Sequence, residues 1–208
     1  MTSKPATQDH WEQVYGSKDS RETSWFEPSP KTSLLMIDRT GLTAGSRAID
    51  VGGGASSLVD HLLQRGFEVA VLDIADEALA VARARLGAKA EQVQWIAKDI
   101  TSWQPAAQFD LWHDRAVFHF LTQPTQRRGY VAALEAALRP GGWLVMATFA
   151  PDGPERCSGL PVQRWAAPDL ARELGAGFEL VHTERNEHAT PWGSSQGFTW
   201  ALFRRIGA

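Results

Sequence analysis

The sequence predicts an α/β fold: a seven-stranded, doubly wound, Rossmann-like sheet, mostly parallel with an antiparallel C-terminal strand, and with helices on both faces. Three observations support this prediction. Short apolar runs alternate with helical patterns five times, a glycine-rich loop follows the first run, and an acidic residue lies at or near the end of each of the first three runs. The 208 residues suit a single domain over 1–208, with an N-terminal cap or lid over 1–40 and a core over 41–208.

The strands are predicted from runs that are short, apolar and rich in β-branched residues. In chain order they are 47–51, 67–73, 93–97, 109–112, 143–149, 178–185 and 198–205. Between them, Ser56 can cap a helix that stops at Gly66, and Gly87 closes the next one. Residues 139–142 predict a turn before the fifth strand, and a long loop is expected to join the last two strands, which form an antiparallel pair. Residues 29 and 30 open a helix of the N-terminal cap.

Composition narrows the class of protein. Lys plus Arg is 21 and Asp plus Glu is 24, giving a net charge of −3 without the basic excess of a general nucleic-acid binder. A single Cys excludes an internal disulfide and fits a reducing compartment, so a cytoplasmic location is expected. Neither an export signal nor a membrane span is expected, because the N-terminus is polar and no run of about 18 apolar residues occurs.

The loop after the first strand is the most informative motif. Asp50 is followed by Gly52, Gly53 and Gly54, where a buried strand passes into a helix. Glycines at this point let a ligand approach the backbone closely, and Asp50 is placed to order the loop or to meet a cationic group. A dinucleotide-binding fingerprint requires a third glycine where this chain has Ser57, which disfavours a nicotinamide cofactor.

Two further acids end the next two strands. Asp73 closes the second strand, at the place where doubly wound folds put an acid on a ribose diol, and Asp99 followed by Ile100 closes the third. Since parallel strands present their carboxyl ends on one edge, we expect these carboxylates and Asp50 to face a common ligand there.

With these motifs, the chain resembles the class I S-adenosylmethionine-dependent methyltransferases over nearly its whole length. The resemblance implies that Asp50 and the glycine loop hold the methionine end of S-adenosylmethionine, that Asp73 takes the ribose hydroxyls beside Ile74, and that Asp99 and Ile100 meet the adenine. Within the family, the stretches 11–15, 24–25 and 114–116 are similar to a group of small bacterial methyltransferases near the protein-lysine and thiopurine methyltransferases.

Residues after the fourth strand and in the cap complete the predicted site. Asp114 and Arg115 are expected to contact the cofactor, Asp114 is also expected to position the acceptor, and His119 is a candidate base. Trp11, Tyr15 and Trp25 are read either as an aromatic lid over the positively charged sulfonium or as plain core residues. No metal site is expected, because the histidines and the lone cysteine lack ligand spacing.

The resulting hypothesis is a methyltransferase that uses S-adenosylmethionine, yields S-adenosylhomocysteine and acts on the nitrogen, oxygen or sulfur of a small molecule. A protein lysine is the alternative acceptor. A nicotinamide-dependent oxidoreductase and a non-catalytic cofactor-binding protein remain as alternatives of other classes.

Overall fold

A seven-stranded sheet forms the centre of the molecule in a computed structural model that describes residues 6–17 and 22–207. The strands are β1 (Arg47–Val51), β2 (Glu68–Asp73), β3 (Val93–Ala97), β4 (Phe109–Arg115), β5 (Leu138–Phe149), β6 (Arg156–Cys157), β7 (Leu160–Pro161), β8 (Phe178–Ala189) and β9 (Ser195–Arg205). The sheet has the order β3-β2-β1-β4-β5-β9-β8, and β6 and β7 form a separate small hairpin.

Strand direction follows the prediction. Strands β1 to β5 are mutually parallel, and β9 runs antiparallel to both of its neighbours, β5 and β8. The predicted doubly wound, mostly parallel sheet with an antiparallel C-terminal strand is confirmed.

Helices cover both faces of this sheet. They are α1 (Ala6–Ser17), α2 (Lys31–Asp38), α3 (Leu58–Gln64), α4 (Asp76–Leu86), α5 (Pro124–Ala137) and α6 (Ala167–Leu174), with 3₁₀ turns at Gly87–Gln92 and Phe118–Phe120. Apolar side chains of α2, α3 and α4 pack on one face of the sheet, and those of α5 and α6 pack on the other. Burial of these two apolar layers drives the folding of the core.

Three element boundaries differ from the prediction. Strand β4 continues through His113 and Asp114 to Arg115, because all three find polar partners inside the fold. Residues 139–142 belong to β5 by hydrogen bonding, although the pairing with β4 shifts register there and Gly141 has a φ of 74°. Strands β8 and β9 extend toward each other, so only residues 190–194 join them where a long loop was expected.

The predicted N-terminal cap consists of α1, the segment from 22 to 30 and α2. Residues 1–5 and 18–21 of the expected 1–40 cap lie outside the described residues, and its division from the 41–208 core stays a prediction. Within the described part of the chain, no helix combines the length and the apolar character required to cross a membrane.

Candidate active site

Two adjoining pockets open at the carboxyl edge of the sheet. The first pocket has a volume of about 930 Å³ and the second about 1130 Å³, each counted with its space open to solvent. The first is lined in part by Asp73, Ile74, Asp99, Ile100 and Phe120, the second in part by Ser33, Asp50, Gly53, Ser57 and His113, and both by Tyr15, Trp25, Gly52 and Arg115. The pockets lie where the strand order reverses between β1 and β4, the place where open α/β sheets bind ligands.

The glycine loop after β1 borders both pockets through Gly52. Gly52 has a φ of 69°, and a Cβ there would lie 2.0 Å from the Val117 side chain. A Cβ at Gly53 would lie 2.6 Å from Asp50 Oδ2, and Gly54 has a φ of 31°. Side chains at these positions would strain the backbone or collide with neighbours, so the loop requires glycine.

Asp73 supplies a buried carboxylate to the first pocket. Its Oδ1 accepts a hydrogen bond of 2.9 Å from the Ala75 amide, which turns the chain from β2 into α4. Burial raises the pKa of Asp73 to about 7, and the nearby negative charge of Asp50 adds to the increase. A ligand that donates hydrogen bonds to this carboxylate would therefore stabilise its ionised form.

Asp99 lies in the first pocket at the end of the third strand, as the sequence indicates. Its Oδ1 accepts hydrogen bonds from the amide (2.8 Å) and the hydroxyl (2.7 Å) of Thr101. These bonds fix the turn after β3 and hold buried Ile100 beside the carboxylate in the pocket wall. The arrangement pairs an acceptor with an apolar surface, which suits the edge and the face of a nucleobase.

Aromatic side chains from the cap close the other side of the first pocket. Trp11 lies 5.1 Å from Phe120 and 5.6 Å from Trp25 between ring centroids, and Tyr15 lies 6.1 Å from Trp25. Burial raises the pKa of the Tyr15 hydroxyl well above its ordinary value, and the Asp73 charge contributes further. Phe120, which the sequence analysis did not single out, completes this aromatic wall of Trp11, Tyr15, Trp25 and Phe120.

Glu12 anchors the helix that carries two of these rings. Its two carboxylate oxygens accept hydrogen bonds from the amides of Asp76 (3.4 Å) and Glu77 (3.3 Å), at the N-terminus of α4. Exposed amides at a helix start attract a carboxylate, so Glu12 caps α4 and holds α1 beside the pocket. The role depends on contacts with residues more than 60 positions away, and a helical pattern alone does not reveal it.

Arg115 joins β4 to the cap segment after α1. Its Nη1 donates a hydrogen bond of 2.9 Å to the Trp25 carbonyl, and its Nη2 lies 3.0 Å from Glu27 Oε1. Burial alone would raise the pKa of Glu27, but a hydrogen bond from His188 and the charge of Arg115 hold it below its ordinary value. His188 lies in β8, where the sequence predicts the long loop between the last two strands, and its Nε2 contacts the Ser24 carbonyl at 2.7 Å. Glu27 has no distinguishing sequence motif.

Asp114 lies behind the pocket wall. It is completely buried, and its oxygens accept hydrogen bonds from the amides of Val117 (2.9 Å) and Phe118 (3.1 Å) and from the Tyr130 hydroxyl (2.6 Å). Burial raises the pKa of Asp114 to about 6. These three bonds hold the turn at Ala116, which has a φ of 72°, and Asp114 is not among the residues that line either pocket. Its predicted contact with the cofactor or acceptor stays a prediction.

His119 is also enclosed by the protein, although the sequence analysis proposed it as a base. Its ring is fully buried between Phe120 and Phe149, and its Nδ1 accepts a hydrogen bond of 3.3 Å from the Phe149 amide. Burial lowers the pKa of His119 to about 3, with a further contribution from the charge of Arg115. The ring is therefore neutral at pH 7 and belongs to neither pocket.

Comparisons with known proteins agree with this architecture. A family described as a methyltransferase domain matches residues 49–144. Thiocyanate methyltransferase 1 of Arabidopsis thaliana is 27% identical over 184 residues, covering 87% of this chain and 78% of that protein. A ubiquinone biosynthesis O-methyltransferase of Aromatoleum aromaticum is 29% identical over 132 residues, or 61% of this chain and 55% of the relative.

Among solved structures, the fold is similar to that of a 1,6-didemethyltoxoflavin-N1-methyltransferase from Burkholderia thailandensis, crystallised with 1,6-didemethyltoxoflavin and S-adenosylhomocysteine. The TM-score is 0.74 at 22% identity, with 99% of this chain and 92% of the other covered.

Proposed function

We propose that this chain, which belongs to the class I S-adenosylmethionine-dependent methyltransferases, transfers a methyl group to a small-molecule nucleophile and that sulfur is the acceptor atom its site fits best. The observation that carries the choice of atom is the first pocket, whose described lining combines an aromatic wall, no histidine and a set of groups suited to the cofactor. S-adenosylmethionine, when bound, supplies a methyl group already activated by a positively charged sulfur.

The described residues fit the cofactor in the first pocket. The pKa of Asp73 is raised because its carboxylate is buried with few donors, and the two hydroxyls of a ribose would provide donors. Ile74, Asp99 and Ile100 provide the apolar surface and the acceptor for an adenine. We assign the methionine end to the glycine loop, whose Gly52 lines both pockets, and to Asp50, which lines the second pocket.

The aromatic wall suits the charged end of the methyl donor. Ring faces stabilise cations by about 0.5–2 kcal/mol, and Trp11, Tyr15, Trp25 and Phe120 line the first pocket together. The same rings exclude water and restrict the approach of an acceptor. Positioning of this kind can lower the activation barrier by about 7–11 kcal/mol, so the methyl transfer requires little acid or base catalysis from side chains.

Among the described residues that line the first pocket, no histidine is available to an acceptor as a general base. Among its described lining residues, the carboxylates are Asp73 and Asp99, which we assign to the nucleoside. Cys157 lies in this wall, but burial raises the pKa of its thiol to about 11, so it remains protonated at pH 7. An acceptor here must therefore react without proton removal by the protein.

A sulfur nucleophile meets this requirement. A free thiol has a pKa of about 8.5, whereas an amine such as that of lysine has a pKa near 10.4 and a phenol near 10, so a useful fraction of a thiol is already ionised at neutral pH. Polarisable sulfur also packs well against aromatic rings. The relative named thiocyanate methyltransferase 1 aligns with most of this chain, which supports the same choice.

An acceptor screen that measures S-adenosylhomocysteine formation tests the proposal. Small thiols and thiocyanate, small amines, phenols and lysine-containing peptides are each offered with S-adenosylmethionine at pH 8, and Asp73→Asn serves as the cofactor-binding control. We expect sulfur acceptors to be methylated, at a rate at least about tenfold above the amines and peptides. Preferred methylation of a peptide lysine, or binding of cofactor without product from any acceptor, would contradict it.

A further inference from the structure

A chain of three buried polar side chains connects the glycine loop to the cap. Asp50 Oδ1 lies 2.7 Å from His113 Nδ1, and His113 Nε2 lies 3.0 Å from Ser33 Oγ. All three residues are at least 97% buried, and they come from β1, β4 and α2. Register explains the first contact, because Asp50 and His113 are paired on adjacent parallel strands.

The roles of donor and acceptor follow from the chemistry of the groups. A carboxylate only accepts, so the proton on His113 is on Nδ1 and is donated to Asp50. In the neutral ring Nε2 then accepts the proton of the Ser33 hydroxyl. His113 is thereby fixed in one orientation and fixes the carboxylate in turn.

This arrangement leaves the second oxygen of Asp50 available. Oδ2 is buried and has no hydrogen-bond partner within residues 6–17 and 22–207. It is directed toward the backbone of the glycine loop, since a Cβ at Gly53 would lie 2.6 Å from it. A buried carboxylate oxygen is costly without a donor, so this atom indicates a ligand group that donates.

The two arginines that line the second pocket, Arg85 and Arg115, are bonded to groups other than Asp50. Arg115 contacts the Trp25 carbonyl and Glu27, and Arg85 donates to the carbonyls of Ala55 and Ser56 and pairs with Asp60. Neither guanidinium is bonded to Asp50 Oδ2. A positively charged group of a ligand can therefore form an ion pair with Asp50 Oδ2.

We propose that His113 is a positioning residue: supported by Ser33, it fixes the Asp50 carboxylate so that Oδ2 receives the ammonium group of the methyl donor's amino-acid end. The inference rests on the proposed function, because it takes S-adenosylmethionine as the ligand. The proposal adds His113 and Ser33 to the cofactor site predicted from the sequence. Ser33 belongs to α2 of the cap.

Calorimetry with two ligands isolates this role. S-adenosylhomocysteine carries the amino-acid end, whereas 5′-methylthioadenosine has the same nucleoside without it. We expect His113→Ala to weaken S-adenosylhomocysteine binding by about tenfold or more and 5′-methylthioadenosine binding by less than about twofold. His113→Asn retains a donor near the Nδ1 position and should recover most of the loss, while Asp73→Asn should weaken both ligands alike.

Ser33→Ala removes one hydroxyl and provides a milder second variant. It should weaken S-adenosylhomocysteine binding by about threefold with the same ligand preference, and it decides the question if His113→Ala does not fold. Equal losses for both ligands, or no loss for either, would overturn the positioning role. Failure of the wild-type protein to bind S-adenosylhomocysteine would instead overturn the proposed function, so the two failures are distinguishable.

Discussion

Two buried acids, Asp73 and Asp114, show how similar residues acquire different tasks. Burial raises the pKa of each, to about 7 for Asp73 and about 6 for Asp114. Asp114 is surrounded by two amides and the hydroxyl of Tyr130, whereas Asp73 lines the first pocket. Asp114 is therefore bonded within the protein, whereas the carboxylate of Asp73 is placed where a ligand can reach it.

The raised pKa of Asp73 predicts pH-dependent binding. Ribose hydroxyls favour the ionised carboxylate, so affinity for S-adenosylhomocysteine is full above pH 7 and falls as the pH decreases through that value. We expect a loss approaching about tenfold per pH unit between pH 6.5 and 5.5, measured by calorimetry. Asp73→Asn should bind more weakly at pH 8 and lack this slope. An affinity of the wild-type protein that is constant from pH 8 to 5.5 would contradict the assignment.

The contacts of Asp114 predict a loss of stability in Asp114→Asn. The amide side chain presents a donor where Asp114 accepts from the protein, so we expect the free energy of unfolding to fall by about 1–3 kcal/mol in urea titrations. Tyr130→Phe, which removes one donor, should lose less. If Asp114 instead acts on the ligand, kcat/KM of the folded enzyme falls at least about tenfold while the stability is unchanged.

At the scale of elements, α2 packs apolar side chains against the sheet, whereas polar contacts join α1 and residues 22–30, the other parts of the cap, to the core. Glu12 caps α4, Arg115 binds the Trp25 carbonyl and Glu27, and His188 contacts Ser24. Each of these polar contacts joins residues more than 60 positions apart in the sequence. We therefore expect α1 and residues 22–30 to be the part of the molecule to which a bound ligand adds the largest share of new contacts.

Hydrogen exchange tests this property of the cap. Protection in α1 and residues 22–28 should increase when S-adenosylhomocysteine binds, because the aromatic wall gains contacts with it. Helix α6, which lies on the opposite face of the sheet and outside both pockets, should exchange equally with and without ligand. Identical exchange of the cap in both states would show that it does not act as a lid.

Some strand ends of this fold were predictable from the sequence and others were not. The first three strands and the acids that follow them are local features, apolar runs ending in a carboxylate, and they were predictable. The end of β4 was not, because the polar residues His113 and Asp114 look like the start of a loop. Their burial depends on Asp50, Ser33 and Tyr130, which the linear sequence places 16 to 80 positions away.

For the whole molecule, sheet topology explains why the candidate site residues lie at one edge of the sheet. The order β3-β2-β1-β4-β5-β9-β8 reverses direction between β1 and β4, and both pockets lie at that point. Sequence alone indicated which acids share this edge. It did not reveal that His119 is enclosed by the protein, since a histidine following a strand has the same pattern whether it faces a pocket or the core.

The main conclusion for the whole molecule is that its site binds a methyl donor and not a dinucleotide. The dinucleotide fingerprint places its third glycine where this chain has Ser57, which lines the second pocket. Calorimetry on one preparation of the wild-type protein at pH 8, with S-adenosylhomocysteine and NADH as ligands, tests the claim most directly. We expect saturable binding of S-adenosylhomocysteine at a single site and no saturable heat with NADH. Saturable binding of NADH without binding of S-adenosylhomocysteine would contradict it.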